Sequence, residues 1–425
     1  MKTIHPLFIF ILSLLIFSCQ NSKEQEELIF DEAAQSRLDS TLEAFVSQGK
    51  VAGISALVFE KGQERYFNAL GYADKEANRK MSRETMVQIY SMTKPITGAA
   101  LMKAYEQGLF ELDDPLEKYL PEFADMKVYQ GVDENGEMIL TEAQRSITVR
   151  DITRHTAGFP NRDNIPGLSE VMAEKDARNF NNTLSDMAAK IGSTPLWFEP
   201  GTQWEYGLCV DMQAYLVEKV TGVPYEQFVR ENILDPLEMN ETMYFVPENY
   251  RDRMAAVYQK TDEGGVERQN DSIAYRFSYN KWPLTPGGFG LSSTIDDYLK
   301  FAKMLLNEGK HEEKTILKPE TIQLMSTNHL PDSIPEDKRS WLPSKGQVGF
   351  GIDFAVRTAA PQGPEENPGV VGEFFWDGAL STLFFVDPTN ELIAILFVQL
   401  TPYDGIGLHH DFRQAIYGPW KPSKN

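Results

Sequence analysis

Cysteine and histidine are scarce in this chain, and positive charge is in deficit. Two cysteines, Cys19 and Cys209, and six histidines occur in 425 residues, which excludes a disulfide framework and a cysteine-rich zinc site. His311-Glu312-Glu313-Lys314 breaks off before a second histidine, so the metalloprotease helix is absent too, and neither a metal nor another cofactor is expected. Acidic residues outnumber basic ones 62 to 41, for a formal charge of −21. That balance argues against a nucleic-acid partner, because a phosphate backbone needs a basic face. Also missing are a Gly-x-Ser-x-Gly nucleophile elbow, a Walker loop and a dinucleotide glycine motif. The longest apolar run, Leu7 to Phe17, is interrupted by Ser13 and falls short of a membrane-spanning helix.

What is present is globular: 42% apolar and 24% charged residues, enough length for a large core. The apolar run behind Lys2 has the length of a secretory h-region. It ends in Ile16-Phe17-Ser18-Cys19, which resembles the bacterial lipobox. That resemblance implies cleavage before Cys19, lipidation of Cys19, and an exported lipoprotein facing the periplasm or the cell surface. Residues 1–18 are then a signal peptide and 19–30 a polar tether. An acidic body binds no anionic membrane electrostatically, so attachment rests on the lipid alone. Cys209 is left as a lone thiol. Nothing in the pattern specifies an oligomeric state.

Along the chain, apolar Leu38, Leu42, Phe45 and Val46 mark a helix over 34–48. A β-hairpin is expected at 54–71 around Lys61-Gly62, and a second at 127–141 turning on Asn135-Gly136. Further helices are expected at 90–107, 180–191, 209–221, 295–307 and 406–417, with His409-His410 on the exposed face of the last. Two apolar strands, 380–386 and 392–399, turn at Asp387-Pro388-Thr389-Asn390. Strands at both ends and helices between them predict an α/β (α+β) fold. In it, an antiparallel sheet is built from both chain ends and flanked by helices. Residues 31–115 and 275–425 form the α/β lobe, and 116–274 a mostly helical inserted lobe.

The tetrad Ser91-Met92-Thr93-Lys94 puts a hydroxyl and an amine on one helical face. Ser-x-x-Lys also occurs at Ser47–Lys50 and Ser278–Lys281, but only Ser91 opens a strongly apolar helix. Pro95 is tolerated only in a first turn, so the helix begins near Ser91 or Met92. Ser91 thereby lies at the positive end of the helix dipole, where an alkoxide is favoured and where a plain N-cap serine also belongs.

Ser91-Met92-Thr93-Lys94-Pro95-Ile96-Thr97, with Leu109 to Pro115 behind it, resembles the serine β-lactamase-related hydrolases. The branch is that of class C β-lactamases, D-alanyl-D-alanine peptidases and family VIII carboxylesterases. Ile147 to Ile152 with His155-Thr156-Ala157-Gly158-Phe159, Pro200-Gly201-Thr202, Asn232 to Leu237, Gly287 to Thr294 and Asp387-Pro388 match in family order. The resemblance covers roughly residues 35 to 415 and implies the serine β-lactamase/transpeptidase-like fold. Tyr206-Gly207-Leu208 occupies the second motif, making Tyr206 the general base that works with Lys94 on Ser91. A free phenol, with a pKa of about 10, serves as a base at neutral pH only if Lys94 and the helix end stabilise its phenolate. Leu208 replaces an amide of the usual Tyr-x-Asn, and Asp211 follows three residues on.

Trp376-Asp377-Gly378-Ala379 stands at the third motif, normally Lys-Thr-Gly or His-x-Gly. By that match the Ser91 and Ala379 N–H groups form the oxyanion hole, and Gly378 lets the strand approach the substrate. Asp377 either faces the cleft, where it repels a substrate carboxylate, or is a turn residue. With neither Lys nor His here, one charge-assisted hydrogen bond to a substrate carboxylate is lost, roughly ten- to a hundredfold in affinity. Trp341, Phe350, Phe374 and Phe375 are candidate walls of an acyl pocket. The resemblance therefore favours a carboxylesterase-type acyl-enzyme mechanism on small, uncharged esters, with an amide as the other small-molecule substrate. The alternatives are a β-lactamase or D-alanyl-D-alanine carboxypeptidase, an acyltransferase, and a non-catalytic sensor or binding domain.

Overall fold

The computed structural model describes residues 28–422. The leader, Cys19 and most of the tether lie outside the described residues. Helix α1 (Glu32–Ser47) starts where Asp31 accepts from the Ala34 N–H, and buries Ala34, Leu38, Leu42 and Phe45. Strands β1 (Gly53–Glu60) and β2 (Gln63–Asp74) form the first hairpin, and β3 (Arg79–Lys80) pairs with β2. Every residue of β1 is buried, as befits a strand covered by helices on both faces.

The rest of the sheet comes from the far end of the chain. Strands β6 (Val348–Phe350), β7 (Ala355–Arg357), β8 (Phe374–Asp377), β9 (Leu383–Asp387) and β10 (Leu392–Phe397) join it. The order is β6-β7-β8-β9-β10-β1-β2-β3, antiparallel at each pairing. Ser55 pairs with Phe397 and Glu60 with Leu392, so both chain ends meet at the centre of one sheet. Helix α6 (Leu408–Tyr417) packs with α1. On the opposite face lie α2 (Thr93–Glu106) and α5 (Ile295–Leu306), the latter against β9 and β10.

Between the two strand groups run the hairpin β4 (Lys127–Val132)–β5 (Met138–Glu142), α3 (Leu184–Gly192) and α4 (Cys209–Thr221). Gly222 ends α4 in the left-handed region, at φ 71°. Helix α2 is buried almost all round and packs on α4. Strands within 258–268 pair with Leu400–Thr401 of the terminal lobe. A single cluster of core side chains runs from Phe30 to Ile416 through both lobes. Among the described residues, no helix is long and apolar enough to cross a membrane.

The last helix differs from expectation at one position. His409 is buried rather than exposed, with Nε2 2.8 Å from the Ser381 carbonyl and Nδ1 3.3 Å from the Tyr403 hydroxyl. His410 alone lies at the surface side. A helix lying flat on a sheet must bury one stripe, and Leu408, His409, Phe412 and Ile416 form it.

Candidate active site

Tyr90, Ser91 and Met92 form a 3₁₀ turn immediately before α2. Tyr90 has φ 45°, a left-handed conformation that costs a bulky residue on the order of 1–3 kcal/mol and marks functional turns. The plain N-cap role for Ser91 is not adopted: Met92 occupies the N-cap and no side chain caps the helix. Gln88 and Ile89 tie the turn to Gln399 and Leu291, and Tyr298 of α5 donates to the Met92 carbonyl at 2.9 Å.

Lys94, one turn on, has Nζ 3.3 Å from Ser91 Oγ and donates to the Gly288 carbonyl at 2.6 Å. The Gly288 N–H in turn donates to Asp211 at 2.9 Å. Burial brings the Lys94 amine down to about 8, with Asp211 and Asp353 opposing the shift. Burial also pushes the carboxyls of Asp211 and Asp353 above the ordinary range.

Tyr206 arrives from the inserted lobe. Its hydroxyl accepts from the Trp376 indole N–H at 3.2 Å and is near enough to Ser91 for that residue to act on its titration. Lys94 Nζ lies 4.5 Å from the centre of the Tyr206 ring. The phenolate stabilisation that a tyrosine base requires is outweighed here. Burial raises the phenol well above its free value, ahead of the lowering by Ser91 and Trp376. Burial thus works against the Tyr206 phenolate and against the charged form of Lys94, whose amine gives up its proton more readily than a free lysine.

Around Tyr206 stands an aromatic cage. Trp341 meets its ring edge-on at 5.1 Å, Trp376 lies at 5.4 Å and His155 at 4.9 Å. Phe350 packs behind against His155 and Trp376 and is fully buried. Trp341, 38% exposed, covers the outside. Sequence reasoning gave His155 no role, although its motif was visible. Neither of its ring nitrogens has a hydrogen-bond partner among the described residues, and burial holds it neutral. Leu208 is buried at the start of α4 and lines a cavity of about 650 Å³.

At the third motif, Trp376 faces Tyr206 while Asp377 and Phe375 point through the other side of the strand. Phe375 packs under the Arg413 guanidinium of α6, at 4.4 Å, and is no wall of the site. Phe374 packs against Phe354 in the core. Asp377 neither faces the cleft nor forms a turn. It ends β8, forms a buried ion pair with Lys345, and accepts from the Tyr403 hydroxyl at 2.7 Å. Gly378 does approach closely, but to the protein itself. A Cβ there would lie 2.5 Å from the Ile89 carbonyl oxygen, just ahead of Ser91. The Ala379 N–H beyond it has no acceptor among the described residues, and Ala379 is exposed. Among the described residues, no group of three His, Cys, Asp or Glu side chains could hold a metal.

The Beta-lactamase family model matches residues 38–417. The chain belongs to the Beta-lactamase family. An uncharacterized protein of Mycobacterium tuberculosis is 30% identical over 358 residues, 83% of this chain and 87% of its own length. The esterase EstB of Burkholderia gladioli is 25% identical, over 90% of this chain and 94% of its own. Among solved structures, EstCE1, a hydrolase with promiscuous acyltransferase activity, superposes with a TM-score of 0.74. It is 25% identical, over 92% of this chain and all of its own. Family membership thus accounts for the terminal-strand sheet with its helical insert, and the relatives include esterase and acyltransferase enzymes.

Proposed function

We propose that this Beta-lactamase-family enzyme is a carboxylesterase-type serine hydrolase that forms an acyl-enzyme on Ser91. The observation that carries the reading is the convergence of Ser91, Lys94 and Tyr206, with an indole, not a cation, at the third motif. Neutral Lys94 takes the proton of Ser91, directly or across the Tyr206 hydroxyl, as Oγ attacks the ester carbonyl. The Ser91 and Ala379 N–H groups hold the oxyanion. The alcohol leaves with the proton, and Lys94 with Tyr206 then activates water on the acyl-enzyme. The esterase EstB among the relatives supports the same reading.

An alkyl fluorophosphonate will label the wild-type protein at Ser91 and leave Ser91→Ala unlabelled. A folded wild type that takes no label sinks the proposal. Turnover of a nitrophenyl ester will exceed that of a chromogenic cephalosporin, and the reverse order would favour a β-lactamase instead. Acyl transfer is a second reading, supported by the promiscuous acyltransferase activity of EstCE1. It predicts faster transfer to an added alcohol than to water.

A further inference from the structure

The cavity that Leu208 lines is bounded by the segment 160–178 and shares Asn161 and Arg162 with a second cavity opening at Tyr206 and Trp341. Of the two arginines that line it, Arg162 is committed: it donates to both carboxylate oxygens of Glu205, at 3.2 and 2.8 Å. Arg178 differs. It lines the cavity, is exposed, and makes no hydrogen bond, ion pair or ring contact among the described residues. Its charge is felt at both Lys94 and Asp211.

Asn161 supplies a second, independent element. Its Nδ2 donates to the Tyr206 carbonyl at 2.6 Å, so the amide is pinned beside the reacting groups. A Cβ on Gly207 would lie 2.6–2.9 Å from that side chain, and the glycine leaves it room. An amide nitrogen carries two hydrogens, and only one is used here. Leu208 stands where the second motif usually has an amide; Asn161 brings an amide beside the neighbouring Gly207 from another loop. With Arg162 neutralised by Glu205, Lys175 and Arg178 balance Asp163 and Asp176 in number along the cavity wall. Asp176 is further engaged by the Asn179 amide at 2.7 Å.

We propose that this cavity is a carboxylate subsite, in which Arg178 and the free N–H of Asn161 bind a carboxylate borne by the ester substrate. The proposal rests on the acyl-enzyme reading of Ser91 and names its substrate class: esters with an anionic group on the side of the 160–178 segment. It reverses the expectation drawn from the third motif, since the cation missing there is supplied from the inserted lobe.

Boronic acids bond reversibly to a reactive serine without turnover, so they separate recognition from catalysis. Benzeneboronic acid and its 3- and 4-carboxy derivatives, titrated calorimetrically into the wild-type protein, will show at least one carboxy isomer binding about tenfold tighter or more, as one charge-assisted hydrogen bond implies. Arg178→Ala will abolish that preference, Arg178→Lys will retain part of it, and Arg178→Glu will invert it. Equal binding by the wild type, or a preference undiminished in Arg178→Ala, overturns the subsite alone. Failure of every boronate to bind folded wild type overturns the nucleophile assignment and the subsite with it.

Discussion

Lys94 is the residue on which the proposed chemistry turns, and its environment reverses the usual behaviour of a lysine. Below about pH 8 the amine is charged in both folded and unfolded chains, and burial penalises the fold. From about 8 to the free-lysine value of about 10.4, only the unfolded chain keeps the proton, so stability rises with pH. Acylation by a fluorophosphonate should therefore rise with pH and level off above about 8. Lys94→Met should slow it by about 10²–10⁴-fold, the usual share of a general base. Denaturation midpoints at pH 7 and pH 9.5 supply the second readout: the upward step attributable to this amine should vanish in Lys94→Met. A pH-independent acylation rate in the wild type would contradict the assignment of the base.

At the scale of the element, β8 shows how one strand serves two faces. Trp376 points to Tyr206, while Asp377 and Phe375 point to the α6 side. Asp377 is held below the ordinary carboxylate range by Lys345, His409 and Tyr403 acting against burial. Lys345 also lies over the rings of Trp341 and Trp376, 5.4 and 5.9 Å from their centres. The pair thus links the strand end to the aromatic cage. Asp377→Asn leaves a buried ammonium without a counter-charge and should cost about 3–5 kcal/mol in urea unfolding at pH 7. Replacing both partners with apolar residues should cost less than the single change. A loss below about 1 kcal/mol for Asp377→Asn would show the pair to be dispensable.

For the whole molecule, the decisive feature is that one core passes through both lobes. Strand β1 is paired to β2 on one side and to β10, from the far end of the chain, on the other. Helix α6 is bolted beneath by Arg413 to Glu373 at 2.7 Å and by Tyr417 to Glu373 at 3.1 Å. Such a molecule has no early-folding terminal unit, because neither end has a sheet without the other. Calorimetry of residues 28–425 should show a single cooperative transition. Two resolved transitions would mean that the inserted lobe unfolds independently.

Much of this was legible in the chain itself. Pro95 set the register of α2, the Ser91–Lys94 spacing put both groups on one face, and Gly222 and Asn135-Gly136 placed a helix end and a hairpin turn. These are local rules, acting within a few residues, and sequence states them directly. Strand parity could also have excluded Phe375, since its neighbour Trp376 occupies the site face. The burial of His409, the ion pair of Asp377 with Lys345, the raised phenol of Tyr206 and the placement of Asn161 beside Gly207 were not legible. Each depends on which distant segment fills the space alongside. Desolvation and charge pairing are properties of a neighbourhood that exists only once the chain has closed on itself. The spacing of Ser91 and Lys94 belongs to the sequence; the environment that shifts the amine belongs to the fold.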